Sequence, residues 1–349
     1  MLISPEVKSS PIIRNVEAYR IFQRHRANDG FLIKPVLIGL EYAEANEVLN
    51  GPGGFQDLGN WNLHKLRANH LTEFDANEIA RQVVKYRVHS IVDSTNDRQL
   101  DVGVFSRVPG SHRPLDLSHD FSPYFSGRTA NPRAYHRIEN AFLDTASVLA
   151  STYDRVSIHG RGNASLSIGV LFGAIYSPLA NFRLSWLQEF AGHDPASWSL
   201  SSGCSDITLD AIVSKGDPAS EDIVLALGVS ASIERAVSEY INSSGLRPRA
   251  WIHATIRAGV VPQGIPLSPQ DGLSLSLQAV ESIRNLREDI GLQRARLHLF
   301  LACPLAMAVL LGQKLNTFSH CTLYERHPDR RPSCERVHTF NPSSISYSR

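Results

Sequence analysis

RLHLFLACPLAMAVLLGQKLNTFSHCTLYER, residues 296–326, is the stretch that decides the fold. Leu297, Leu299 and Leu301 alternate with His298 and Phe300 in a short, mostly apolar run. That pattern predicts a strand buried on both faces. Ala302-Cys303-Pro304 reads as a turn. Residues 305–315 are almost wholly apolar and rich in good helix formers, which predicts a buried helix. Gly312 is small enough to sit under a neighbouring strand. Residues 321–324 give a second strand. The whole is a βαβ unit of an α/β domain. Its turn lies at the carboxyl end of a strand, where open α/β sheets place their ligands, so the turn is a candidate crevice wall.

Upstream, the same rhythm recurs. Strands are expected at 155–159, 182–187, 222–229 and 251–256. Helices are expected at 134–151, 165–176, 232–242 and 275–288. Strands alternating with helices argue for parallel sheets with right-handed crossovers. Two such runs suggest two related halves, 114–215 and 216–349. Before them lies a different region, 1–113. It holds a short basic helix at 16–26, a strand-like run at 35–40 and the loop Gly51-Pro52-Gly53-Gly54. A helix at 73–86 follows, capped by Thr72 with Asp75 and Glu78 in its first turn. Strands at 88–92 and 100–105 are expected to pair as a hairpin. Pro109-Gly110 marks the domain boundary.

The totals bound the function classes. The chain has 349 residues, enough for two domains or a duplicated one. Lys+Arg 35 against Asp+Glu 34 gives a net charge of +1, which excludes the strongly basic signature of a protein that wraps DNA. A local nucleic-acid contact stays open. Cys204, Cys303, Cys321 and Cys334 form no CxxC pair, which suggests a reduced, cytoplasmic protein with buried thiols. No apolar run is long enough to span a bilayer, so no membrane partner is expected. There is no Walker loop, nor a Ser-His-Asp or Cys-His context.

Three stretches carry a resemblance. Leu115-Asp116-Leu117 with Phe125-Ser126-Gly127-Arg128 is similar to an opening strand and an F-x-G-R segment. Residues 155–160 followed by 166–173 resemble a strand, turn and helix ending in glycine. Residues 298–315 with Leu323-Tyr324-Glu325 resemble a closing unit with an LF-x-A-x-P turn, an apolar helix, LG and LYE. Over 114–349 the chain therefore resembles SAVED domains, the CARF-like sensors of cyclic oligonucleotides in CBASS antiphage defence. The resemblance implies two fused CARF/Rossmann-like halves with parallel sheets, preceded by a small α+β N-terminal domain. It further implies a cyclic oligonucleotide as activating ligand, head-to-tail self-association on binding, and activation of an N-terminal effector. Residues 1–113 match no effector: there is no HNH signature, no clear D…ExK and no TIR-like run.

Such a ligand needs helix N-termini, backbone N–H groups, cations and aromatic faces. Four turns follow strands and precede helices: 159–165, 230–232, 263–270 and 302–304. In the first, Gly160 and Gly162 allow close approach, Arg161 supplies charge, and Asn163 or Ser165 can cap the helix. The plain alternative is a βα turn with a solvated arginine. Ser230 and Ser232 are ligand candidates or simple caps. Cys303 and Pro304 either face the ligand or merely shape a turn. Trp198, with Trp186 and Trp251, would stack on bases unless it is core. Gln188 ends its strand and joins the set. Lys314 and Arg326 would reach phosphate or remain surface charges. No cofactor is identified. In the N-terminal region His64, His70 and Glu73 are the weak candidates for a nuclease or hydrolase centre, and Mg2+ enters only on that reading. The histidine spacing does not fit the i,i+4 rule for helical metal pairs. A docking module or degenerate effector is the remaining reading. Asp93, Asp97 and Asp101 recur every fourth residue but lie in what reads as strand–turn–strand.

Overall fold

In a computed structural model the chain divides into two compact units, Met1–Asp97 and Arg98–Arg349. The structure describes residues 2–4, 10, 20–21, 23–24, 34–49, 64–66, 70–94, 99–108, 114–127, 129–131, 133–257, 266–292, 294–327 and 330–345. The glycine loop at 51–54, Pro109-Gly110, Arg128 of the F-x-G-R segment and most of the expected helix at 16–26 lie outside them.

The first unit contains a three-stranded parallel sheet of β1 (Leu2–Ile3), β2 (Val36–Leu37) and β3 (His64–Lys65), with β2 central. Two helices accompany it, α1 (Tyr42–Leu49) and α2 (Glu73–Ser94). Thr72 and Asp75 cap α2 reciprocally: Thr72 Oγ1 accepts from the Asp75 N–H at 3.1 Å and donates to Asp75 Oδ2 at 2.5 Å. The expected strand at 88–92 is instead the last part of α2. Val88 and Ile91 are buried one turn apart, so the β-branched residues there follow a helical stripe.

The second unit begins with β4 (Gln99–Phe105), not at 114. That strand pairs in parallel with both β5 (Leu117–Asp120) and β8 (Val156–Arg161), so it belongs to the sheet rather than to a preceding hairpin. A small ribbon, β6 (Phe125–Ser126) with β7 (Thr129–Ala130), leads into α3 (Ala134–Thr152). After β8 come α4 (Leu166–Ile175), β9 (Phe182–Gln188) and β10 (Ala196–Ser199). The five-stranded order is β10-β9-β8-β4-β5, parallel except for the β9/β10 pair.

The second half contains β11 (Leu209–Lys215), β12 (Asp222–Gly228), α5 (Glu234–Ser244), β13 (Ala250–Ile256), α6 (Pro269–Asp289), β14 (Arg296–Ala302), α7 (Leu305–Gly312), β15 (His320–Arg326) and β16 (Cys334–Phe340). Its order is β11-β13-β12-β14-β15-β16, a parallel core with an antiparallel strand at each edge. Residues 209–215, assigned to the first half by the boundary at 215, form β11, which pairs with β13, so the junction between the halves lies between β10 and β11.

The halves join through α4 and α7. Both helices are apolar around their whole circumference, as suits helices enclosed by other elements. Glycines set the approach. A Cβ on Gly173 would lie 2.1 Å from the Val309 carbonyl oxygen, and one on Gly312 would lie 2.2 Å from that of Val170. Gly312 therefore lies under a helix of the other half, not under a strand. The contact is reciprocal: Val170 and Gly173 in α4 answer Val309 and Gly312 in α7, so the internal duplication is present in three dimensions. Among the described residues no helix is long and apolar enough to cross a membrane.

Candidate functional site

Two turns, one from each half, meet at the carboxyl ends of the parallel strands. The first follows β8. Gly162 has φ +138°, and a Cβ there would lie 2.1 Å from the Val104 carbonyl oxygen at the end of β4, so the turn is pressed against that strand. Ser106 fixes its far end. The Ser106 N–H donates to the Asn163 carbonyl at 3.0 Å, and Ser106 Oγ accepts from the Ser165 N–H at 3.0 Å. The Ser165 hydroxyl lies 3.1 Å from that of Tyr135 on α3. The second turn follows β14, where the Ala302 carbonyl accepts from the N–H groups of both Val229 and Ser230 at 2.8 Å.

A pocket of about 300 Å3 opens between these turns. Ser106, Ala164, Ser165 and Leu166 form one wall, and Leu301, Ala302 and Cys303 form another. Phe125 and Gly127 border it, as do Glu325, Arg107 and Arg326. Arg107 and Arg326 are exposed and make no ion pair among the described residues, so two cations stand at the mouth. Inside, burial and then the Glu325 charge push the Cys303 thiol up to about 12, so the sulfur stays protonated and unreactive. Burial, then Glu325, likewise holds the Tyr135 phenol well above its usual range, leaving it a neutral hydrogen-bonding group.

The helix N-termini flanking the pocket are capped across the junction. Glu325, at the end of β15, accepts from the Ser167 N–H of α4 at 2.8 Å through Oε1. Gln188, at the end of β9, accepts from the Ala306 N–H of α7 at 2.9 Å. Each half thus supplies the side chain that satisfies an orphan donor on the other half's helix.

The residues singled out from the sequence distribute unevenly. Ser165 and Cys303 line the pocket, and Pro304 is the N-cap position of α7 beside it. Asn163 is exposed on the same turn. Arg161 is not a free cation: it is ion-paired with Asp101 at 2.5 Å and mostly buried, held along the sheet by the alternation of β8. Gln188 is the α7 cap just described. Ser230 and Ser232 are exposed beyond β12, and neither side chain caps α5. Trp198 is fully buried, its ring filling the space where a Cβ on Gly272 would stand, so it is core and not a stacking platform. Trp186 is also buried. Lys314 lies beyond the far end of α7, in a different pocket with Leu277, Gln278 and Glu281. Of the turn at 263–270, residues 263–265 lie outside the described set, and Ser268 forms a capping box with Asp271. Sequence reasoning missed Ser106, Tyr135 and Arg107. It quoted Phe125, Gly127 and Glu325 as motif residues without placing them at the pocket.

In the first unit His64 faces the buried Asp75 at 3.5 Å, while His70 and Glu73 are exposed. Asp75 is already committed to the cap of α2. Asp93 is the penultimate residue of α2, and Asp97 lies outside the described residues. No group of three His, Cys, Asp or Glu side chains suited to a metal ion occurs among the described residues.

A family model describing the SAVED domain, "SMODS-associated and fused to various effectors sensor domain", matches residues 138–336. Among solved structures, the chain is similar to the Acinetobacter baumannii Cap4 SAVED/CARF-domain containing receptor with the cyclic trinucleotide 3'3'3'-cAAA. That match has 12% identity and a TM-score of 0.56, covering 94% of this chain and 86% of that one. The same receptor with 2'3'3'-cAAA gives 12% identity and a TM-score of 0.54 over the same shares. The Moraxella osloensis Cap4 SAVED/CARF-domain containing receptor gives 10% identity and a TM-score of 0.50, again over 94% and 86%. No curated protein matches the chain significantly. The motif order, the duplicated α/β halves around one pocket and the family match over more than half the chain agree, and the chain belongs to the SAVED sensor-domain family.

Proposed function

We propose that the second unit is a receptor for a cyclic oligonucleotide in CBASS-type antiphage defence, and that ligand binding drives self-association that switches on an output carried by residues 1–97. The observation that carries this reading is the pocket built from both halves at the carboxyl ends of their parallel strands. Its volume is at the low end for small-molecule sites. It holds one nucleotide of a ring, with the rest lying over the turns at 161–164 and 230–232. Arg107 and Arg326 meet phosphates, Ser106 and Ser165 supply short polar contacts, and Phe125 offers an aromatic edge. The Cap4 receptors with bound cyclic trinucleotides make a three-base ring the first ligand to try.

The test is calorimetric titration of the full chain with a panel of cyclic di- and trinucleotides, followed by gel filtration with and without the best ligand. Saturable binding that is lost in the Arg107→Ala, Arg326→Ala double variant, with larger species on ligand addition, supports the receptor. Absence of binding across the panel refutes it. Incubating the liganded chain with plasmid DNA and Mg2+ separates a nuclease output from a docking one.

A further inference from the structure

The outer face of the six-stranded sheet carries a second pocket, away from the cleft and toward the amino ends of β12 and β14. Its volume is about 480 Å3. Phe300 packs against Tyr240 of α5 and His298 against Tyr324 on this face, while Leu297, Leu299 and Leu301 alternate to the opposite side. Helix α5 ends at Ser244, so the lower part of the face stays open.

The floor of this pocket is an ordered polar chain. Asp222 is held in two places by Arg296, at 2.8 and 3.0 Å. Its Oδ1 accepts from His298 Nε2 at 3.0 Å. The other ring nitrogen, Nδ1, lies 2.8 Å from the Tyr324 hydroxyl. The Tyr240 hydroxyl adjoins Tyr324 and lines the same pocket. The carboxylate at the base is neutralised by Arg296, and what faces the pocket is a pair of tyrosine hydroxyls in fixed orientation. At the rim stand Arg247 and Arg336. Among the described residues Arg247 has no ion pair, and Arg336 bonds the neutral Thr339 hydroxyl at 3.1 Å. Among the described residues the rim carboxylate is Asp217, which accepts from the Ala219 N–H of its own turn at 2.9 Å. Two uncompensated guanidiniums above hydroxyls and aromatic rings, in a volume suited to a small ligand, match a phosphate joined to a polar organic group.

We infer that this pocket is a second ligand site, for a nucleoside monophosphate or similar phosphate monoester. Arg247 and Arg336 take the phosphate, and the Tyr240–Tyr324–His298–Asp222 chain reads a ligand hydroxyl. Strand β15 links it to the cleft, because Tyr324 lines this pocket while its neighbour Glu325 lines the other. The site is independent of whether the cleft binds a cyclic oligonucleotide.

The test is calorimetric titration of the full chain with 5′-AMP and, separately, with inorganic phosphate. Saturable binding of 5′-AMP is expected. The Arg247→Ala, Arg336→Ala double variant, altered only at exposed side chains, should weaken both ligands by at least about tenfold. Tyr324→Phe keeps the ring and removes the hydroxyl, so it should weaken 5′-AMP and leave phosphate unchanged. The cleft variant Arg107→Ala, Arg326→Ala should bind 5′-AMP normally. No saturable binding of 5′-AMP, binding unchanged in the Arg247/Arg336 variant, or binding lost in the cleft variant overturns the inference.

Discussion

The two crossed caps invite comparison. At the N-terminus of α4 the second half provides a carboxylate, Glu325; at the N-terminus of α7 the first half provides a neutral amide, Gln188. The positions correspond, since Ser167 and Ala306 are each the second residue of their helix and each is bonded by a side chain from the carboxyl end of a strand of the other half. Yet the electrostatics differ. A helix N-terminus favours negative charge. At α4 the protein already supplies it, and the same charge adds to the burial that keeps Cys303 and Tyr135 protonated. At α7 nothing charged is supplied, and Arg326 stands nearby at the mouth. Duplication preserved the geometry of the junction while making the pocket polar in one direction.

The strongest way to break the comparison is through the reciprocal glycines. Gly173→Ala and Gly312→Ala each drive a methyl group into backbone of the other half. Each should cost about 3 kcal/mol or more, measured as a drop in urea midpoint. The double variant should cost less than the sum, because the first substitution already separates the helices. Full additivity would mean that the helices are not each other's counterparts.

A second asymmetry concerns histidine. His298 in the second half is bonded at both ring nitrogens, whereas half-buried His119 in the first packs against Phe121 and Phe142 with its buried Nε2 unpartnered. Burial lowers the His119 value from 6.5 to about 4. The unfolded chain therefore binds its proton first as pH falls, and folding stability is lost progressively from pH 6.5 down to 4. The loss approaches about 3 kcal/mol. His119→Leu should abolish most of that slope in urea unfolding followed across this range. An unchanged slope would place the acid sensitivity elsewhere.

Much of this arrangement was legible in the sequence, for a physical reason. Residues 296–326 announce their unit because strand alternation and an all-apolar helix are local patterns. The same holds for 155–176. What stayed hidden was non-local or mixed in polarity. Strand β11 exposes Ile212 and Val213 and so carries no inward–outward code. Residues 88–92 read as a strand because their composition is β-branched, although their spacing suits α2. Gln188 was singled out at its strand end, but nothing in its neighbourhood tells that its acceptor serves a helix 118 residues away. Arg161 looked free because its partner Asp101 lies on another strand.

Smaller effects sharpen the cap comparison itself. Glu325→Ala leaves the Ser167 N–H unpaired and should cost about 2 kcal/mol, while Gln188→Ala should cost about 1 kcal/mol at Ala306. Glu325→Gln, which keeps the acceptor, should cost less than either, and equal losses for the three variants would remove the electrostatic difference. The smallest effect is chemical. At pH 8 iodoacetamide should label the exposed Cys204 and spare Cys303, read by peptide mass spectrometry.

The central claim is that one ligand engages both halves at once. Hydrogen–deuterium exchange of the full chain, with and without a saturating cyclic trinucleotide, tests it directly. The account predicts simultaneous protection of the segments spanning 161–167 and 301–306. Protection confined to one half, or no change at either turn, would contradict it.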